Sequence, residues 1–178
     1  MWGHIGKNGV VLEPSFEIHA PAKLPSRTGP YAISATDSAG NQVFAFSFDG
    51  EVIDHLPGEK HFAFVIPMRT MAARPAAIRL TANGRVSLQR RAAPTTPVGI
   101  TAATAPPPRL SNLTPARSRL QWWDAKSYPM ALVRDAATGQ IISFARGGQI
   151  DFTSLKQDIE VTYSDGVQSV RSTVRIPR

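Results

Sequence analysis

Hydrophobic and polar side chains alternate along much of this chain with a period of two residues. In the segment QVFAFSF, Phe44, Phe46 and Phe48 fall on one face and the residues between them fall on the other. A β-strand with one buried face has this period, because successive side chains point to opposite sides of a sheet. The same alternation is found in three further segments: HFAFVIPM from His61, AAIRLTA from Ala76 and VQSVRSTVRI from Val167.

Turn residues lie between these segments and join neighbouring strands into hairpins. Glycine, asparagine and aspartate adopt the positive φ angles that tight turns require. At the start of the chain, WGHI and VVLEP flank the turn GKNG, which is a hairpin pattern. The stretch RTMAARPAAI has room for one helical turn at most before Pro75. Further turns are predicted at four segments: DSAGN from Asp37, ANG from Ala82, DAATGQ from Asp135 and SDG from Ser164.

The C-terminal segment VQSVRSTVRI predicts a final strand with one buried side. Its alternation places Val170, Val174 and Ile176 inside and Arg171 and Arg175 outside. Arginine on the solvent side of a half-buried strand is typical of an antiparallel sheet that has one face in water. Strands and turns that alternate about every eight to twelve residues favour a β-sandwich or a β-barrel.

Residues 93–113, APTTPVGITAATAPPPRLSNL, differ in composition from the rest of the chain. They hold five prolines, four threonines and few large apolar residues. Proline cannot donate a hydrogen bond to a sheet, and a run of prolines favours an extended polyproline conformation. We therefore predict a linker over 93–113, a first β-sandwich domain over 1–92 and a second over 114–178.

The two sides of this linker resemble each other in sequence. DSAGNQVFAF aligns with DAATGQIISF without a gap, so that Gln42 falls on Gln140 and Phe46 on Phe144. IRLTANGRVS aligns with IEVTYSDGVQS when one residue is inserted. Either the chain contains a tandem repeat or any two hairpins look this similar. In both cases the simplest architecture is all-β, with two tandem immunoglobulin-like or fibronectin-III-like β-sandwich domains.

The 178-residue chain has a formal net charge of +7 that is unevenly distributed. From Lys60 to Trp123 there are ten basic residues and no acidic one, whereas the remainder holds ten basic and thirteen acidic residues, a net of −3. Either this stretch binds a polyanion such as lipopolysaccharide or an acidic protein face, or it is a solvated surface of arginine-bearing strands. Nucleic acid is disfavoured, because no aromatic residues interleave with the basic ones as a stacking motif.

Two absences from the sequence narrow the chemistry. The chain has no cysteine, which removes disulfides, thiolate nucleophiles and most structural zinc sites. It also has no run of roughly 18 to 20 apolar residues of the kind that a membrane span needs. We therefore expect no membrane span.

The segment HLPGEKH brings together His55, Glu59 and His61 and raises the possibility of a metal site. A zinc protease helix places two histidines four residues apart on one face, with a glutamate between them as general base. Here the histidines are six apart and Pro57 and Gly58 interrupt them, so no helix can run through the segment. We interpret it as a loop that leads into the next strand and expect neither metal nor cofactor there.

Catalytic constellations of other kinds are also missing from the sequence. A glycosidase pair could be drawn from Asp49, Glu51 and Asp54, but carboxylates beside a turn are more often solvated or capping groups. No G-x-S-x-G or S-x-x-K motif supplies an activated serine. We therefore assign no catalytic residue and predict that this chain is not an enzyme.

The segment ARSRLQWWD contains the most specific candidate for a binding surface. On a strand, Leu120 and Trp122 share one face, and Arg117, Arg119 and Trp123 share the other. An exposed tryptophan beside arginines is suited to contact a sugar or a protein partner. The alternative is that Trp123 packs against a neighbouring domain or the linker.

Four phrases of the chain together resemble the C-terminal β-rich region of bacterial secreted proteins of the zinc metalloprotease class: GVVLEPSFEIHAP, GPYAISATDSAGNQVFAFSF, YPMALVRDAATGQIISFARGG and VTYSDGVQS. The resemblance implies an accessory region that follows a catalytic domain and is exported with it, to the periplasm or outside the cell. The zinc-binding helix of that class has no counterpart here, so the resemblance transfers no catalytic residue. The abrupt start, inside what reads as a strand, also suggests a piece of a longer protein.

From these observations we expect a non-catalytic accessory or interaction module of an exported bacterial protein. Its partner would be the catalytic domain of the parent protein, or a surface or protein ligand. One alternative is a carbohydrate- or polyanion-binding domain that uses the arginine and tryptophan surface of ARSRLQWWD. Another is a small metal-dependent enzyme built around HLPGEKH.

Overall fold

The computed structural model describes residues 1–91, 109–114, 117–122, 124–152 and 157–175, without the side chains of 109–114, 117 and 118. The chain divides into two compact units, Met1–Arg91 and Ala92–Arg178. Strands dominate both units, and a single 3-10 helix, Met68–Thr70, is the only helix in the described part. The fold is therefore all-β, as predicted, and that short helix stays within the limit of one helical turn before Pro75. None of the described helical structure has the length and apolarity to cross a membrane.

Fifteen strands make up the described part of the two units. They are β1 (Trp2–Ile5), β2 (Val10–Leu12), β3 (Tyr31–Thr36), β4 (Gln42–Phe48), β5 (Glu51–Val52), β6 (Lys60–Ala63), β7 (Ala77–Ala82), β8 (Arg85–Arg90), β9 (Arg109–Thr114), β10 (Arg117–Gln121), β11 (Met130–Asp135), β12 (Ile141–Arg146), β13 (Gln149–Phe152), β14 (Ile159–Ser164) and β15 (Ser169–Val174).

The first unit contains two antiparallel four-stranded sheets, with strand orders β2-β1-β6-β5 and β4-β3-β7-β8. The predicted hairpin at the start of the chain is confirmed, because the N–H of Gly6 donates to the carbonyl of Gly9 over 2.8 Å between β1 and β2. The ANG turn is also confirmed: Asn83 and Gly84 have positive φ angles of 52° and 71°. These local turns position strands whose other partners are distant in sequence.

Aromatic side chains form the centre of the core in the first unit. Phe48 is 0 % exposed, and its ring centroid lies 5.1 Å from that of Phe62 and 4.9 Å from that of Phe64. Because Phe48 belongs to β4 and Phe62 to β6, these contacts join the inner faces of the two sheets. At the other side of the unit, the side chain of Gln89 donates to the carbonyl of Leu12 over 2.7 Å.

The second unit pairs a three-stranded sheet, β13-β10-β9, with a four-stranded sheet, β12-β11-β14-β15. Leu120 and Trp122 are 0 % and 6 % exposed, which confirms that they share the inward face. The indole N–H of Trp122 donates to the carbonyl of Tyr128 over 2.8 Å, so the only polar atom of that buried side chain has a partner. Residues of both sheets contribute to one core: Leu120, Trp122, Ala131, Val133, Ala145, Phe152, Ile159, Val161, Tyr163 and Val174.

The four-stranded sheets β4-β3-β7-β8 and β12-β11-β14-β15 have the same connectivity, since each joins two hairpins through their first strands. An irregularity of strand pairing also occurs at the equivalent position in both units. It lies between Ala35 and Thr36 in the first unit and between Val133 and Arg134 in the second. The two sequence blocks that resemble each other therefore fold into the same arrangement of strands.

The ungapped alignment of Phe46 with Phe144 is wrong, and the length of one turn is the reason. Phe46 pairs with Ile33 on the inner face, whereas Phe144 pairs with Leu132 on the outer face. Asp37 closes its turn on the carbonyl of Asn41, but Asp135 closes its turn on Gln140, one residue further along. A shift of one residue moves every side chain of the following strand to the opposite face of the sheet.

The predicted linker extends too far toward the C-terminus. Arg109 to Leu113, predicted as part of the linker, belong to β9, which pairs with β10. Prolines at 106–108 precede this strand and Pro115 follows it, so none interrupts the hydrogen bonds of the strand itself. Residues 93–108 of the predicted linker lie outside the described part of the chain.

The predicted inward set of the last strand is only partly correct. Val174 is 7 % exposed, but Val170 is 37 % exposed although both lie on the same face. Their strand, β15, is at the edge of its sheet, where side chains have neighbours on one side only. Arg171 and Arg175 are exposed as predicted, and Ile176 lies outside the described residues.

Replacing Phe48 tests the aromatic core of the first unit. We expect Phe48→Ala to lower the free energy of unfolding by about 3–5 kcal/mol, because it removes a fully buried aromatic ring and leaves a cavity. Urea denaturation followed by circular dichroism measures the change. Val86→Ala is the control, with an expected change within about 0.5 kcal/mol, because Val86 is 57 % exposed. Equal effects of the two substitutions would contradict the central place of Phe48 in this core.

Candidate functional site

Arg119, one of the three predicted binding residues, is already engaged in an ion pair. It lies directly opposite Asp151 on the neighbouring strand β13. Its Nε donates to Oδ1 of Asp151 over 2.6 Å, and its Nη2 donates to Oδ2 over 3.1 Å. The hydrogen bond to Asp151, followed by the charge of that carboxylate, raises the pKa of Arg119. The guanidinium is thus oriented by a fork-shaped contact and its charge is balanced within the sheet.

The side chains of the other two predicted binding residues are not among those described. Trp123 lies outside the described residues. Arg117 is placed in β10, opposite Thr114, but its side chain is not among those described. The structure therefore brings Arg119 to Asp151 and leaves the proposed grouping of Arg119 with Arg117 and Trp123 as a prediction.

The three residues of the HLPGEKH segment do not converge on a common point. His55 lies in the turn after β5, with a positive φ of 66°, and is exposed. The carboxylate of Glu59 lies against Gly6, where an added Cβ atom would overlap it. His61 is part of β6, and its Nε2 lies 3.2 Å from Oε2 of Glu51. Glu59 and His61 thus have different neighbours and His55 is exposed, because the segment is a turn followed by a strand.

The structure instead places His61 in a row that the sequence did not reveal. Glu51 on β5 and His4 on β1 are its two cross-strand neighbours, so the three residues lie side by side on the exposed face of one sheet. No local sequence signal could identify this row, because β1 and β6 are more than fifty residues apart in the chain. Within the described ranges, no three histidine, aspartate or glutamate side chains converge as a group that could hold a metal ion.

The carboxylates considered as a glycosidase pair have different neighbours. Oδ1 of Asp49 lies 2.5 Å from the Nζ of Lys60, and this hydrogen bond is the main cause that lowers the pKa of Asp49. The same ammonium group lies 5.5 Å from the ring centroid of Tyr31. Glu51 contacts His61, as described above, and Asp54 is an exposed turn residue. The first two carboxylates are therefore each bound to a neighbouring strand.

Three other aspartates hold the backbone of hairpin turns. Oδ1 of Asp135 accepts hydrogen bonds from the backbone N–H groups of Ala137 and Thr138 over 2.7 Å and 2.8 Å. Asp37 accepts from two backbone N–H groups of its own turn in the same way. Asp165, which is buried, accepts from the N–H groups two and three residues after it. Such side chains compensate turn N–H groups that lack a partner in the sheet.

Comparison with known proteins adds no family to these observations. The chain matches no model of a protein family and no curated protein sequence.

The turn aspartates predict a specific dependence of stability on pH. Hydrogen bonds from the backbone of Thr138 lower the pKa of Asp135 below its ordinary value of 3.8. A carboxylate whose pKa is lowered by folding stabilises the folded state at pH values above its ordinary pKa. This stabilisation disappears as the pH falls through the pKa of the folded state. Asp135→Asn should therefore lower the melting temperature by a few degrees at neutral pH, and by less than half as much once the pH is below the folded-state pKa.

Thermal unfolding at a series of pH values measures this difference. Asp54→Asn, at an exposed turn position, is the matched control and should change the melting temperature little at any pH. A difference between wild type and Asp135→Asn that stays constant down to the acid limit would show that ionisation of Asp135 does not stabilise the turn.

Proposed function

We propose that this chain is a non-catalytic accessory and interaction module, built from two tandem β-sandwiches of the immunoglobulin or fibronectin-III class. It follows the catalytic domain of an exported bacterial metalloprotease and acts by positioning. The sheets provide a rigid platform, and loops or exposed faces contact the catalytic domain, a substrate or a surface.

The strand connectivity of the second unit supports the sandwich class. If the seven strands described in this unit are lettered A to G in chain order, one sheet contains A, B and E and the other contains D, C, F and G. An immunoglobulin constant domain also separates A, B and E from C, F and G. The fourth strand is the difference, since β12 pairs with β11 and so joins the second sheet.

The engagement of ionisable side chains is the observation that carries the non-catalytic role. A reaction centre needs several such groups directed at one point. Here Asp135 caps a turn, Asp49 is bound to Lys60, and Arg119 is bound to Asp151, each at a different place in the fold. These pairs and caps stabilise strands and turns, which is the role expected of a scaffold.

The link to a metalloprotease and the exported location rest on the sequence resemblance of the four quoted phrases. Neither zinc chemistry nor proteolysis is assigned to the residues of this chain. In this proposal, peptide hydrolysis belongs to the preceding domain, and the chain supplies contacts that the catalytic cleft does not make. Removal of the chain should then affect large substrates more than small ones.

Deletion of residues 1–178 from the full-length parent protein tests this function. We expect kcat/KM for a short peptide to stay within about twofold, because a short peptide contacts only the cleft. We expect kcat/KM for a folded protein substrate to fall at least tenfold, since it loses a second contact worth about 1.4 kcal/mol. A parent reading frame without a zinc-binding catalytic helix would exclude the metalloprotease association.

The isolated chain provides the control. It should hydrolyse neither substrate when zinc is added, and activity that follows stoichiometric zinc and is lost in His61→Asn would favour the metal-dependent enzyme instead. The polyanion-binding alternative predicts salt-sensitive binding to heparin through Arg119 and its neighbours. The pairing of Arg119 with Asp151 does not favour this alternative, because that charge is already balanced.

A further inference from the structure

The outer face of the sheet β4-β3-β7-β8, opposite the buried Ile33 and Leu80, is open to solvent. On this face, Ser47 and Ala45 of β4 lie opposite Ala32 and Ser34 of β3, respectively. These side chains are small, and all but the half-buried Ser34 are exposed. Another molecule can therefore approach the backbone of this sheet closely.

Unbalanced positive charge is the second property of this face. The four strands of the sheet contain three arginines and neither lysine nor any acidic residue. Arg79 and Arg90 lie on the outer face as diagonal neighbours on β7 and β8, both exposed. No ion pair within the described residues neutralises either of them. The acidic residues that bound the sheet, Asp37 and Asp49, are engaged by their own turn and by Lys60.

Exposed apolar side chains lie beside these arginines. Val86 and Leu88 point outward from β8 and are 57 % and 39 % exposed. Leu88 is the cross-strand partner of Arg79. The strands of this sheet place no aromatic ring on this side, since the phenylalanines of β4 and Tyr31 of β3 face the core or its margin. The face thus combines apolar surface with cationic groups but offers nothing on which a sugar or a base could stack.

The equivalent face of the second unit has different properties. There Leu132 and Thr162 are only 1 % and 2 % exposed. The face also carries its own acidic residue, Glu160, whose Oε1 lies 3.6 Å from the Nε of Arg171. Open access and unbalanced charge are therefore features of the first unit and not of this type of sheet in general.

We propose that the outer face of β4-β3-β7-β8 docks a protein partner whose surface places carboxylates beside apolar side chains. The carboxylates pair with Arg79 and Arg90, and the apolar side chains cover Val86 and Leu88. Charge complementarity excludes a second copy of this face as the partner, because arginine would meet arginine with no acid available. A polysaccharide or nucleic acid polyanion suits it less, since two guanidinium groups offer little charge and the apolar side chains would gain no cover.

The dimensions of the face set the expected strength of binding. Four strands of six or seven residues span roughly 15 Å across and roughly 20 Å along. This area is smaller than the ~800 Å² that each partner buries in a stable complex. We therefore expect a weak complex that salt weakens further, because exposed ion pairs are screened. The inference rests on the proposed role as an interaction module and names the chemistry of its partner.

A folded acidic probe tests this inference on the full chain. The probe is a short disulfide-closed β-hairpin peptide that displays glutamate and leucine on one face, and its control carries glutamine in place of glutamate. We expect the glutamate hairpin to bind saturably and to shift the backbone NMR signals of Ala32, Arg79 and Leu88. The glutamine hairpin should leave these signals unchanged.

Two sets of variants establish where the probe binds. Arg79→Gln combined with Arg90→Gln should weaken binding about tenfold, and Leu88→Ser should weaken it several-fold. Arg69→Gln is the matched control for one removed charge, because Arg69 is an exposed arginine of the first unit that lies outside this sheet. It should leave the affinity unchanged, and NMR spectra of each variant confirm that the sheet is folded.

Three results would overturn the inference: no shift of these signals by the glutamate hairpin, equal weakening by Arg69→Gln, or binding of heparin at this face when the hairpin does not bind. The last result would identify a polyanion site. Because none of these measurements involves hydrolysis, their failure is distinct from that of the proposed function. That proposal fails if the isolated chain hydrolyses a substrate or if the parent lacks a protease domain.

Discussion

The register of each hairpin decides which side chains of this protein form the core and which remain available for contacts. Side chains alternate across a strand, so a change of one residue in a turn exchanges the two faces of the strand that follows. The turns at Asp37 and Asp135 show the effect, because they differ by one residue and direct Phe46 inward but Phe144 outward. Backbone N–H groups held by these aspartates keep each turn at its length.

Much of the local structure could be predicted from the sequence. Alternation identified the inward face of β7, where Ile78, Leu80 and Ala82 are all at most 2 % exposed. Glycine and asparagine identified the turns, because few other residues adopt positive φ without strain. These signals are local, and they suffice for a hairpin whose strands are joined by a turn of a few residues.

Pairing between distant segments could not be predicted in this way. The row of His4, His61 and Glu51 depends on the pairing of β1 with β6, for which the sequence holds no local signal. The ungapped alignment of the two repeats failed for a related reason. One additional turn residue hardly changes the sequence similarity of the two segments, but it exchanges the two faces of the strand that follows. The exposure of Val170 depends on the edge position of β15, which only the assembled sheet defines.

The candidate site residues could also be found from local sequence patterns, but their neighbours could not. HLPGEKH is rich in metal-binding residue types, but its turn leaves His55 exposed, and Glu59 and His61 contact different residues. The sequence shows an excess of basic residues from Lys60 onward but not where they lie in the fold. In the folded sheet, Arg79 and Arg90 share a face without acidic residues. In this protein, ion pairs and turn caps stabilise strands and turns, and the proposed contact surface lies on an open sheet face.

Cysteine accessibility tests the assignment of faces most directly, because the chain has no native cysteine to interfere. Single substitutions at Ala45 and Phe144 should react rapidly with a maleimide reagent, since both side chains point outward. Substitutions at Ala35 and Ala145 should react at least a hundredfold more slowly, because these positions are 1 % and 5 % exposed. Slow labelling at 144 together with rapid labelling at 145 would mean that both units share one register, and that turn length does not exchange the faces of the following strand.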